Sequence, residues 1–221
     1  MPIVTKNGDA TAASRTANHG AIVAHIVNCK GKWGSGFVLA LNKMSPIPVA
    51  AYRAWHKQSE GDIPLGDTQF VEVEPGKFVA NMCAQRGVNR SNDSCLVDYS
   101  SLGRCLKVVF LRALRLGYAV HMPSGMGSGL AGGDKGKILD IIRTMMKKAE
   151  SDSKFAKMVK EHTGVSLELD ITLWDFDDTS AVSYVPAADE ELGAAAPVES
   201  ENQAEDASKE LTAPADDIAN L

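Results

Sequence analysis

The 221-residue chain is 44% hydrophobic, enough for one sizeable core, and carries a formal net charge of −5. It has no run of about 18 uncharged apolar residues, so no membrane span is expected, and Met1-Pro2-Ile3-Val4-Thr5-Lys6-Asn7 lacks the apolar core of a secretion signal, so a cytoplasmic location is expected. Residues 181–221 hold ten acids and one lysine, leaving 18 acids and 22 bases in residues 1–180; this mildly basic body suits an anionic ligand and is too weakly charged to argue for duplex binding.

Gly20 to Val27 reads as a buried strand, apolar and β-branched, followed by the glycine-rich turn Asn28-Cys29-Lys30-Gly31-Lys32-Trp33-Gly34-Ser35-Gly36. A short helix is predicted from Phe37 to Lys43, ended by the breaker Ser45-Pro46-Ile47-Pro48, and a second from Val49 to Gln58. Thr68 to Glu74 alternates as a strand. Pro75-Gly76 is a turn, and Phe78 to Cys83 is the partner strand of a hairpin. Asp98 to Leu116 has the clearest helical period, with Leu102, Leu106, Val109, Phe110, Ala113 and Leu114 on one face and Gly117 as the stop. A strand at 118–122 leads into a second glycine-rich loop, 122–134. Helices at about 135–149 and 151–162 and an alternating strand at 167–174 complete the series. After Asp178 bulky apolar groups are too few to offset the ordering of the chain, so residues 179–221 are expected to be a disordered acidic tail.

A strand, a loop with five glycines and a helix can cradle phosphate, because glycine lets backbone N–H groups approach an anion and the helix adds the positive end of its dipole. Two such loops at strand ends describe an α/β sandwich with a cleft over those ends. Cys29, Cys83, Cys95 and Cys105 show no CxxC pair and no metal spacing with the histidines, so free thiols are expected and no metal or cofactor. His25 lies inside an apolar run, where a histidine is ordinarily a hydrogen-bonded core residue. Asp9 reads as a turn or cap residue, Asp134 as the cap of the next helix, and Asn28 as a group that satisfies its own loop.

Four segments give these residues a second reading. Gly8-Asp9-Ala10-Thr11, His25-Ile26-Val27-Asn28 with Trp33-Gly34-Ser35-Gly36, Val79-Ala80-Asn81-Met82 with Gln85-Arg86-Gly87, and Gly127-Ser128-Gly129-Leu130-Ala131-Gly132-Gly133-Asp134 together resemble the macro domain family. The Asn28–Gly36 pattern is similar to that of the ADP-ribose-1″-phosphate phosphatase-like branch of bacterial and phage members. The resemblance implies a three-layer α/β/α fold with a mixed central sheet over residues 1–178. It also implies a monomer that binds ADP-ribose or a derivative, with ADP-ribosylated protein or nucleic acid as a further partner.

In the family's terms Asp9 and Ala10 would meet adenine, Phe176 would stack on it, and Asn28 would meet the distal ribose. Gly127, Ser128, Gly129 and Leu130 would hold the diphosphate, and Gly34, Ser35 and Gly36 would serve a phosphoryl group. His25 and Asp134 would be the catalytic pair for hydrolysis of a distal-ribose substituent. The chain departs from the family's lysine-dependent glycohydrolases, since Ala84 stands near the lysine position and Ala131 at the aspartate position. A reader module without chemistry is therefore the alternative.

Overall fold

The computed structural model describes residues 3–17, 20–88 and 95–175. The expectations for Phe176 and for the acidic tail lie outside these residues. Six strands form one sheet in the order β1 (Val4–Asn7), β6 (Ile171–Asp175), β5 (Ala119–Pro123), β2 (Ala21–Asn28), β4 (Lys77–Gln85), β3 (Thr68–Glu74). All neighbours are parallel except β3 and β4, which make the expected antiparallel hairpin around Pro75-Gly76, with Gly76 at φ 73°. Helices α1 (Ala10–Thr16), α2 (Val38–Met44) and α3 (Ile47–Gln58) cover one face. α4 (Tyr99–Leu116) and α5 (Lys135–Lys147) cover the other, and a π-helical turn (Lys148–Asp152) leads to α6 (Lys154–Thr163). This is a mixed-sheet, three-layer α/β/α fold.

The strongest sequence periods became the best-buried elements. Leu102, Leu106, Val109, Phe110, Ala113 and Leu114 of α4 are all buried, and Gly117 ends the helix in the left-handed region at φ 65°. β2 sits between two parallel neighbours with both faces covered, which is why it reads as an unbroken apolar run.

Two expectations were displaced, and two elements were not anticipated. Pro48 does not hold α3 off until Val49; the helix starts at Ile47, because a proline in the first turn removes an N–H that has no intrahelical partner anyway. The last strand covers only 171–175, since Leu169 N donates to Glu150 Oε1 (2.8 Å) rather than to a ladder and β5 is only five residues long. β1 and α1 carried no apolar period: β1 is an exposed edge strand, and α1 buries only the small residues Ala10, Thr11 and Ser14.

α3 is tied to the end of β2 by Tyr52, fully buried, whose hydroxyl donates to the Asn28 carbonyl and lies 3.2 Å from Asn28 Oδ1. Burial raises its pKa, so it stays a donor. Tyr52→Phe leaves that carbonyl short of a partner and should cost about 1–2 kcal/mol, read as a lower midpoint in urea unfolding.

Candidate functional site

β2 and β5 are hydrogen-bonded parallel neighbours, Val23 lying opposite His121, so their C-terminal ends emerge side by side. From β2 the chain continues into the loop at 29–37, and from β5 into the loop at 124–134. Between the two loops lies a cleft of about 610 Å³.

The second loop is held in shape from within. The Ser128, Gly132 and Gly133 amides donate to the carbonyls of Gly125, Gly129 and Gly127 at 2.9–3.0 Å. Leu96 N donates to the Ala131 carbonyl, and the Tyr99 hydroxyl accepts from Asp134 N, fastening the loop to the start of α4. Asp98 caps α4 by accepting from Ser101 N and also meets Arg86; these contacts hold its carboxyl at about 2. Two glycines are dictated by space. A Cβ on Gly133 would stand 2.8 Å from the Gly127 carbonyl oxygen. One on Gly127, whose φ is +73°, would stand 3.0 Å from Ile26 Cδ1. Beside Gly34 and Gly129 a Cβ would meet no protein atom within 4 Å. Any demand for glycine there comes from what occupies the cleft.

The amides of Gly34, Ser35, Gly36, Gly127, Gly129 and Leu130 donate to no protein acceptor among the described residues. All six residues line the cleft, and Lys32 is the one charged side chain among the lining residues described, with no carboxylate beside it. Unfilled N–H donors and an unopposed ammonium favour an anion.

Asn28 also lines the cleft, but its side chain staples the first loop. Oδ1 accepts from Lys30 N (3.0 Å) and Lys32 N (3.1 Å), while Nδ2 donates to the Lys32 carbonyl (2.6 Å). Ser128 does not line the cleft; its hydroxyl turns back to the Gly125 carbonyl. Asp134 is exposed and caps α5 by accepting from Lys137 N at 2.7 Å. Asp9 caps α1 and accepts from Thr11 N and Oγ1, with buried Ala10 behind it; both follow the C-terminal end of β1 on the same rim as the cleft, without lining it. Sequence reasoning missed Lys32 and Gln85 as cleft residues. Lys32 could have been found as the lysine inside a glycine-rich loop.

His25 lines the floor of the cleft and is 1% exposed, with the Trp33 ring edge-on at 5.4 Å and Phe37 at 5.9 Å. Its tautomer follows from a chain of contacts across the sheet. The Ala51 carbonyl of α3 can only accept, so Gln69 presents Nε2 to it (3.0 Å) and Oε1 to Asn81. Asn81 then donates Nδ2 to Gln69 (3.0 Å) and turns Oδ1 to His25 Nε2 (2.7 Å). Nε2 must carry the proton, which leaves Nδ1 a bare lone pair without a well-formed hydrogen bond and out of contact with solvent. Burial pulls the imidazole pKa down to about 4, with Asn81 and the Ile26 backbone opposing. At neutral pH His25 is an uncharged ring.

One solved structure fixes the family, and a second is similar over the same share of the chain. A macrodomain protein from Streptomyces coelicolor shares 35% identity over 79% of this chain and 99% of its own, with a TM-score of 0.59. A structure from Bacteroides thetaiotaomicron shares 35% identity over 79% of this chain and 98% of its own, with a TM-score of 0.64. The macrodomain of Mycobacterium tuberculosis DarG, at 17% identity and TM-score 0.55, shares the fold. The chain belongs to the macrodomain family. No family model and no curated protein matches it. Among the described residues no helix is long and apolar enough to cross a membrane, and no cluster of three His, Cys, Asp or Glu could hold a metal ion.

His25 also makes a solution prediction. The unfolded chain takes up its proton near the ordinary imidazole value of 6.5, the folded one only near 4. Stability is therefore unaffected above 6.5 and falls as pH drops toward 4, by about 3 kcal/mol in full. His121, whose pKa burial also lowers, adds in the same sense. Urea unfolding at pH 7, 5.5 and 4 should show this slope, and His25→Gln should flatten much of it.

Proposed function

We propose that the cleft binds ADP-ribose or a derivative of it. The observation that carries this reading is the pair of glycine loops with unfilled amides facing one another across a cleft with no carboxylate among its described lining residues. The amides of Gly127, Gly129 and Leu130 would take the diphosphate, with Lys32 balancing part of its charge. The distal ribose would lie between Asn28, whose Nδ2 retains a second N–H, and Gly34-Ser35-Gly36. Asp9 stands past the end of β1, three strand spacings or about 14 Å from β2. A ligand touching both would be extended across the strand ends, with its adenine toward Asp9, Ala10 and Phe176. Phosphate or a protein or nucleic-acid attachment on the distal ribose is the finer reading of the ligand.

Hydrolysis of that substituent is the second reading, and Nδ1 of His25 favours it. As a lone pair with no partner on the cleft floor, it could take a proton from an attacking water once Trp33 and Phe37 shift aside. With its pKa near 4 the ring cannot serve as a cationic acid at neutral pH. Asp134 would join only by leaving its helix cap. The geometry thus supports binding more strongly than turnover, and it leaves the reader role standing.

Calorimetry with ADP-ribose tests the first reading; micromolar binding is expected, and its absence would overturn it. Gly133→Ala, which pushes a methyl into the Gly127 carbonyl, should weaken binding about tenfold and lower the melting temperature as well, because the clash is with backbone. Lys32→Met should weaken it about two- to fivefold, the scale of an exposed charge contact. Phosphate release from ADP-ribose-1″-phosphate tests the second reading. It should vanish in His25→Ala, and turnover surviving His25→Ala with Asp134→Ala would remove both from the chemistry.

A further inference from the structure

A row of polar side chains crosses three strands in the middle of the sheet. Gln69 of β3 lies opposite Asn81 of β4, and Asn81 lies opposite His25 of β2. The adjoining row on the same face is Val71, Val79 and Val23, all buried. Asn81 and His25 are as deeply buried as those valines. An apolar row would fill this space without taking polar groups out of water, so the polar one needs a reason.

Every link of the row but the last is paired. The Ala51 carbonyl accepts from Gln69 Nε2 (3.0 Å), Gln69 Oε1 from Asn81 Nδ2 (3.0 Å), and Asn81 Oδ1 from His25 Nε2 (2.7 Å). Each bond fixes the direction of the next, because a carbonyl cannot donate and an amide donates from one end only. The series ends on His25 Nδ1, a lone pair on the cleft floor. The two rings over His25 do not compete for the tautomer. Phe37 has no polar side-chain atom, and Trp33 donates its Nε1–H to Asn42 Oδ1 at 2.8 Å. The Ile26 backbone favours a proton on the ring, so the other tautomer is within reach once Asn81 is released.

We infer that Gln69, which does not line the cleft, is the positioning residue that makes the cleft floor a hydrogen-bond acceptor. The inference rests on the ADP-ribose reading above and deepens it. A bare ring nitrogen takes a hydrogen bond from a ligand hydroxyl or from a water, whereas a phosphate oxygen, which has only lone pairs, finds no donor there. The two parts of the cleft thus sort the ligand, its phosphate oxygens going to the loop amides and a hydroxyl going to His25. Gln69 holds this arrangement through Asn81. Were the Asn81 amide to turn over, its Oδ1 would face Gln69 Oε1 with no proton between them, and His25 would carry its own proton on Nδ1. Leaving one buried polar group unpaired in this way corresponds to a roughly 5- to 150-fold preference for the observed tautomer.

The test is nitrogen–proton correlation NMR of the imidazole rings in the full chain at pH 7, with the His25 signals assigned by their loss in His25→Gln. The wild-type ring should carry its proton on Nε2. Gln69→Leu removes both of the glutamine's bonds and should give a mixture of tautomers. Gln69→Glu loses the bond to Ala51 but keeps an acceptor for Asn81 Nδ2, so it should restore the Nε2–H form, a rescue that a merely structural role would not show. Should Gln69→Leu fold poorly, Gln69→Thr, a good strand former, makes the same break and should give the same mixture. A wild-type proton on Nδ1, or a single tautomer that survives loss of the glutamine, would overturn the inference. Saturating ADP-ribose should then move the Nδ1 resonance and leave Nε2 in place. A bound ligand that leaves Nδ1 unmoved would remove Gln69 and His25 from ligand choice. If ADP-ribose does not bind at all, the reading above fails, while the tautomers of the wild type and the Gln69 variants still decide whether Gln69 positions the ring.

Discussion

The parallel pairing of β2 with β5 at the centre of the sheet is the constraint on which the site depends. It brings two strand ends side by side, Asn28 and Pro123, that are 95 residues apart in the chain, and each end releases a glycine-rich loop. From β2 the chain goes through α2, α3 and β3 to β4 on one side of β2, while β5 lies on the other. The cleft opens where the strand order reverses, the place where open α/β sheets leave room for a ligand. Shift β2 by one residue and its two covered faces exchange, which takes His25 away from Asn81.

Both loops are rigid for reasons that leave their amides free. In the first, the Asn28 side chain holds Lys30 and Lys32, and Tyr52 holds Asn28. In the second, three internal amide bonds and two glycines without room for a Cβ fix the turn. Because the shape is maintained by Ser128, Gly132 and Gly133, the intervening donors need not serve the fold. A loop that folded by using all its amides could not also bind an anion. This division of labour also explains why Asn28 and Asp134, read from sequence as ligand or catalytic groups, are found in structural bonds. A strand end beside a polar loop needs a staple, and a helix start needs a cap.

The sequence made the sheet and its helices legible where burial imposes a strong period. β2, the β3–β4 hairpin and α4 were readable because their apolar residues recur at two or at 3.6 positions and end at glycine. β1 and α1 were not, because an exposed four-residue edge strand and a helix facing the core with Ala, Thr and Ser have almost no hydrophobic contrast. For the site, the glycines announced the loops and their order announced the family. The environment of His25 was hidden, since its partners Asn81 and Gln69 are 56 and 44 residues away and meet it only through strand register. No local pattern could say that this ring is neutral, Nε2-protonated and roofed by Trp33 and Phe37.

Charge shows the same gap between pattern and placement. Averaged over residues 1–180 the excess of four bases is too small to signify a polyanion partner. The excess is uneven along the chain: residues 99–163 carry +7 and the rest of residues 1–180 carry −3. Attraction falls off within about 10 Å at ordinary salt, so an approaching phosphate senses the nearest helices and not the chain's sum. The net −5 of the whole chain therefore says little about which surfaces attract anions. The cleft repeats this locally: among its described lining residues Lys32 is the one charged side chain and no acid opposes it, so its pull on an anion comes from that absence as much as from the lysine.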